Sequence, residues 1–133
     1  MKKPRVLDSF ALIVFLNRES GFEKVRALLR DAKASDEPLL MNEINIGEVY
    51  YLTAKERSLA MADEFLHRLE TLPIRACSNT FPQLLDAARL RAKFPLSYAD
   101  AFAVATAIRE QARLVTGDPE LRRVAHLIEI HWI

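Results

Sequence analysis

The sequence predicts an α/β fold in three layers: a short central parallel sheet flanked by helices on both faces. Three observations predict it. Apolar runs of four to seven residues alternate with longer segments of helical periodicity, which is how parallel strands joined by helical crossovers read. Glycine occurs only three times in 133 residues, so the loops are short. Six prolines punctuate the chain without any repeat or low-complexity linker, so residues 1–133 read as one domain around one core.

The elements follow in order. Arg5-Val6-Leu7-Asp8 reads as a short buried strand, and Ser9 is placed to cap a helix over 10–17. Residues 22–34 are amphipathic, with Phe22, Val25, Leu28 and Leu29 on one face. Pro38-Leu39-Leu40-Met41-Asn42 reads as a second strand, followed by helices over 43–57 and 59–72. Ile74-Arg75-Ala76-Cys77 is a third strand. A helix over 81–94 turns Leu84, Leu85, Ala88 and Ala92 inward. A long helix covers 97–112, with a fourth strand at Arg113-Leu114-Val115-Thr116. A short helix over 119–125 and a last strand over 127–133 complete the reading.

Composition narrows the class. Half the residues are hydrophobic and 28% are charged, which fits a folded globular chain and excludes disorder. The net charge of +1 gives no global basic excess. That argues weakly against nucleic-acid binding, because a local basic rim is compatible with an acidic site. The single cysteine, Cys77, excludes an internal disulfide and a multi-cysteine zinc site, and fits the cytoplasm. Lys2-Lys3 ahead of an apolar run mimics a secretory leader. However, Asp8 interrupts the stretch and Asn17-Arg18-Glu19 offers no small-residue cleavage site, so no leader is expected. No apolar run approaches the ~18–20 residues of a membrane span.

Four acids stand where the chain changes direction: Asp8, Glu48, Asp100 and Asp118. Each has a plain structural explanation. Asp8 can cap the helix after it, Ser97 and Asp100 fit a capping box, Asp118 precedes a proline at a helix start, and Glu48 can be a solvated helix residue. The helical faces weaken two of these. From Tyr98 to Ile108 the only polar side chains are Tyr98, Asp100 and Thr106, so Asp100 projects from a helix apolar nearly all round. Glu48 shares its face with Ile44, Tyr51 and Leu52. Several carboxylates brought together repel unless protons or a cation intervene. A hard dication, Mg²⁺ or Mn²⁺, suits oxygen ligands and would suit hydrolysis of a phosphodiester. His67, His126 and His131 are scattered and form no competing set.

The segments Val6-Leu7-Asp8-Ser9, Asn45-Ile46-Gly47-Glu48-Val49-Tyr50-Tyr51, Ser97-Tyr98-Ala99-Asp100-Ala101-Phe102-Ala103 and Leu114-Val115-Thr116-Gly117-Asp118-Pro119-Glu120-Leu121 together resemble PIN domains. Within that family the chain is most similar to VapC-type toxins, and the resemblance spans nearly the whole sequence. It implies a PIN-like fold and metal-dependent endoribonuclease activity. Asp8, Glu48 and Asp100 would form the acidic triad and Asp118 the fourth acid, with Ser9, Asn45 and Thr116 in support. It also implies an RNA substrate, a VapB-type antitoxin partner and a homodimer. Phe10 stands where many members carry a small polar residue, and Glu120 is available as an auxiliary acid, although a first-turn helix role suits it better. Lys55, Arg57, Arg89, Arg91, Lys93, Arg122 and Arg123 are available for a basic rim, although each reads first as a solvated charge. Two alternatives belong to other classes. One is a catalytically inactive PIN-like binding module acting through complex formation. The other is a phosphotransfer domain with Asp8 as nucleophile, which Phe10 disfavours because it occupies the place of that chemistry's second acid.

Overall fold

Side chains on a strand alternate between faces, and in this chain that alternation builds two cores. In a computed structural model, which describes residues 3–133, strands β1 (Arg5–Leu7), β2 (Leu39–Asn42), β3 (Ile74–Cys77), β4 (Arg113–Thr116) and β5 (Ile130–Trp132) form one sheet in the order β3-β2-β1-β4-β5. Every neighbouring pair is parallel. Leu7, Leu39, Met41 and Val115 face one core. Val6, Leu40 and Leu114, one residue out of phase, face the other.

The first core is covered by α1 (Ser9–Leu16), α2 (Phe22–Ser35), α3 (Glu43–Glu56) and α4 (Leu59–Thr71). Gly21 at the start of α2 has φ of +100°, a left-handed conformation that glycine adopts without strain. The second core is covered by α6 (Tyr98–Arg109), the 3₁₀ turn Pro119–Val124 and, outside α6, α5 (Phe81–Lys93). Seven consecutive residues of α6, Ala101 to Ala107, are buried, so the all-round apolar pattern does mark a central helix. The helices on both faces of a parallel sheet are those the sequence predicts.

Of the two caps the sequence offers for α1, Asp8 takes the place and Ser9 does not: the Asp8 Oδ1 accepts from Ala11 N at 2.8 Å. Three local features differ from the sequence reading. On α5, Ala92 is exposed and Ala87 is buried, because the helix packs on α6 through Leu84, Ala87 and Leu90. A turn over residues 125–127 is followed by a bend at Ile128 and irregular backbone at Glu129, so the last strand is only Ile130–Trp132. The segment after Asp118 is 3₁₀ and not α-helical. Lys2, which entered the leader reading, lies outside the described residues.

The strand order places the site. It reverses between β1 and β4, and ligands of open α/β sheets gather beyond the strand C-termini at such a switch point. Asp8 follows β1 and Asp118 follows β4 two residues past its end. No described helix is long and apolar enough to cross a membrane.

Candidate metal centre

Asp8 is the most buried acid, 1% exposed, and both its oxygens are engaged. Oδ1 accepts from Ala11 N, and Oδ2 accepts from Thr116 Oγ1 at 2.5 Å. The same Thr116 hydroxyl accepts from Asp118 N at 3.0 Å. One side chain at the end of β4 therefore fixes the carboxylate of one loop and the backbone of the next. Asp118 in turn caps the 3₁₀ turn, its Oδ1 accepting from Glu120 N at 2.9 Å.

The remaining acids arrive on helices. Ser97 caps α6 by accepting from Asp100 N at 3.1 Å. This holds Asp100 in the first turn, where the positive end of the helix favours a carboxylate. A carboxylate oxygen of each of Asp100, Asp118 and Glu120 lies within 4.8 Å of the other two. Glu120, read from sequence first as a first-turn helix acid and second as an auxiliary acid, occupies that first turn and also joins this group. The 3₁₀ geometry after Pro119 is what brings it round. Glu48 on α3 is half-buried and adds its charge to the field at Asp100. Its apolar neighbours Ile44 and Tyr51 are exposed, 40% and 54%, so they are no sign of burial around Glu48.

Asn45, fully buried one turn before Glu48, ties the helices together. Its Nδ2 donates to Ser9 Oγ at 3.3 Å and to Ala99 O at 3.0 Å, joining α1, α3 and the start of α6. Ser9 Oγ donates back to Asn45 O at 3.3 Å. The polar residues expected to support the acids thus hold the three segments that carry Asp8, Glu48 and Asp100.

The electrostatics are those of anions lacking a counter-charge. Burial pushes the Asp8 carboxyl from an ordinary 3.8 up to about 7, against the pull of Thr116 and Ala11, with Asp100 and Asp118 adding to the rise. Burial, then Asp118, then Glu48 and Glu120 push Asp100 up to about 6, with Ser97 opposing. Among the described residues, none of these five acids forms an ion pair with a lysine, arginine or histidine. The histidines stand apart, His67 and His126 exposed and His131 on β5. An all-oxygen donor set with uncompensated negative charge fits a hard divalent cation and does not fit zinc in a nitrogen–sulfur site. Asp100, Asp118 and Glu120 are close enough to share one.

Three of the basic candidates have local partners. Arg89 pairs with Asp86 on the outer face of α5, and Arg123 donates to Pro95 O at 2.8 Å. Arg122 lies over the Trp132 ring, 5.7 Å from its centroid.

Comparison with known proteins agrees with the fold. A family model described as PIN domain matches residues 5–127. No curated protein sequence matches the chain. Among solved structures, VapBC2 from Rickettsia felis, bound to a DNA fragment from its promoter, is similar at a TM-score of 0.74 and 18% identity, covering 97% of this chain and 98% of the other. DNA-bound VapBC from Salmonella typhimurium gives 0.73 and 13%, covering 98% of each chain. VapC20 from Mycobacterium tuberculosis, a toxin that cleaves the sarcin–ricin loop, gives 0.71 and 16%, covering 96% and 98%. At such identities the likeness concerns the fold.

Proposed function

The chain belongs to the PIN-domain family, and from that membership we propose that it is a metal-dependent endoribonuclease of the VapC toxin type, held in check by a VapB-type antitoxin. The observation that carries the reading is the acidic centre at the switch point: Asp100, Asp118 and Glu120 within 4.8 Å, with Asp8 and Glu48 coupled to it by charge. The fold likeness to VapC20 and to VapBC complexes supports the toxin assignment and the antitoxin partner.

In this reading Asp8, Asp100, Asp118 and Glu120 hold Mg²⁺ or Mn²⁺, with Glu48 beside them as a ligand or as the base that orients the attacking water. A bound dication would polarise the scissile phosphate and ease deprotonation of a water. The chain's own groups do the rest. Each Asp8 oxygen that accepts one hydrogen bond keeps a second lone pair, so Thr116 and Ala11 orient the carboxylate without using it up. Asn45 and Ser9 keep the three acid-bearing segments in register. The protein would act in the cytoplasm as a single domain, and as a homodimer.

Cleavage of RNA by the wild-type chain, Asp8→Asn and Asp100→Asn, with added Mg²⁺ or Mn²⁺, tests the assignment. Both variants should lose cleavage by about a hundredfold or more, the scale of removing a preorganised charge from a transition state. Undiminished cleavage in both would sink it.

A further inference from the structure

Phe10 lies on the first turn of α1, two residues after Asp8, and is 41% exposed. It belongs to none of the buried apolar clusters, whereas its neighbours Ala11 and Leu12 turn inward. Its ring rests on Gly117. A Cβ at that position would collide with Phe10 Cε1 and meet Cδ1 at 3.1 Å. Gly117 is not required by its own backbone, since Gly21 alone among the described glycines has positive φ. Gly117 therefore serves as a seat for the ring. One side of the ring is held against the residue between Thr116 and Asp118, while the remainder faces solvent. The contrast with Trp132 is informative: Arg122 covers that ring, but among the described residues no ring or cation stacks on Phe10.

A flat apolar face, seated between the loops that carry two of the acids, matches one part of a nucleic-acid ligand. Unstacked bases of single-stranded RNA settle on aromatic side chains. The base is tethered to the phosphate the acids would engage, so the ligand brings the stacking group with it. We propose that Phe10, seated on Gly117, stacks a nucleobase adjacent to the cleaved phosphate and so positions the strand across the acids. This rests on the ribonuclease reading above. The ring recognises a π-face, not a hydrogen-bonding edge, so it sets the position of the strand without choosing a base.

The test is steady-state cleavage of a single-stranded RNA oligonucleotide with Mn²⁺, separating kcat from KM. An abasic nucleotide is placed in turn at the positions beside the cut. Phe10→Ala should lower kcat/KM about tenfold, mainly through KM, the scale of one lost base–aromatic stack, while Phe10→Tyr retains activity. The abasic substitution should cost the wild type a similar factor and cost Phe10→Ala nothing more. Gly117→Ala should mimic Phe10→Ala in the wild-type background and have no effect in the Phe10→Ala background, where the ring it displaces is gone. Equal kcat/KM for Phe10→Ala and wild type, or abasic penalties that persist in the variant, would overturn the platform while leaving the nuclease intact. Unchanged cleavage with weakened self-association or antitoxin binding would also overturn it, in favour of a protein occupant. A wild-type chain that cleaves no RNA would instead remove the reading beneath it.

Discussion

Thr116 Oγ1 donates to Asp8 Oδ2 at 2.5 Å while accepting from Asp118 N at 3.0 Å, so a single hydroxyl at the end of β4 links the two loops of the switch point. Thr116→Val keeps the shape and removes both bonds. It leaves a buried carboxylate and a backbone N–H each short of a partner, and should destabilise the fold by about 1–3 kcal/mol. Thr116→Ser should recover most of that. Chemical denaturation of the three proteins at pH 7.5 checks it.

The raised acids make stability fall with pH. Asp8 moves from 3.8 to about 7 and Asp100 from 3.8 to about 6. A carboxyl that binds its proton more tightly when folded contributes fully below its unfolded pKa, and the contribution is lost as pH rises through the folded value. The loss therefore runs from about pH 4 to just above 7, and Asp8 alone accounts for roughly 4 kcal/mol of it at 1.36 kcal/mol per unit. His131, whose pKa burial lowers, works the other way at the acid end. In chelator the melting temperature should be higher at pH 5.5 than at 8. Millimolar Mn²⁺ should raise it at pH 8 and barely at 5.5. A flat profile in chelator would contradict the charge assignment.

Asp8→Asn follows from the same imbalance. It removes the buried charge yet keeps a good helix cap. In chelator at pH 8 this variant should melt above the wild type while losing cleavage, a trade of stability against function. A lower melting temperature would show that Asp8 stabilises the fold beyond its place in the centre.

Glu120→Gln removes one of three carboxylates within 4.8 Å of one another. Manganese affinity, read by calorimetry at pH 7.5, should fall about tenfold, the low end of the effect of altering groups around a metal. Glu64→Gln, on the exposed face of α4, should leave it unchanged. Equal affinity in both variants would return Glu120 to a helix-start role alone.

Much of this site was legible in the chain because strand ends and helix starts have short-range signatures. Val6-Leu7-Asp8 and Val115-Thr116-Gly117-Asp118 mark where two strands stop, and Ser97 before Asp100 marks a helix start. The near-continuous apolar run of α6 announced a central helix. What escaped depends on partners distant in sequence or on fine backbone geometry. Ala87, not Ala92, turns inward because α6 chooses the face of α5. The auxiliary place of Glu120 ranked second in the sequence because the 3₁₀ winding of residues 119–124 has no local signature there. Ile44 and Tyr51 beside Glu48 suggested burial, but a helix face is buried only where something covers it, and both remain exposed. Phe10 stood out only as an odd residue beside an acid, and its meaning needed Gly117, 107 positions away, beneath the ring.

The acids are proposed to bring a divalent cation to an RNA phosphate. Sulfur in place of a non-bridging oxygen at the scissile phosphate tests that contact most directly, because Mg²⁺ ligates sulfur poorly and softer Mn²⁺ accepts it. One phosphorothioate diastereomer should be cut slowly in Mg²⁺ and recover in Mn²⁺, while the all-oxygen substrate is cut in both ions by the wild type and in neither by Asp100→Asn. Equal cleavage of oxygen and sulfur substrates in Mg²⁺, undiminished by chelator or by Asp100→Asn, would contradict it.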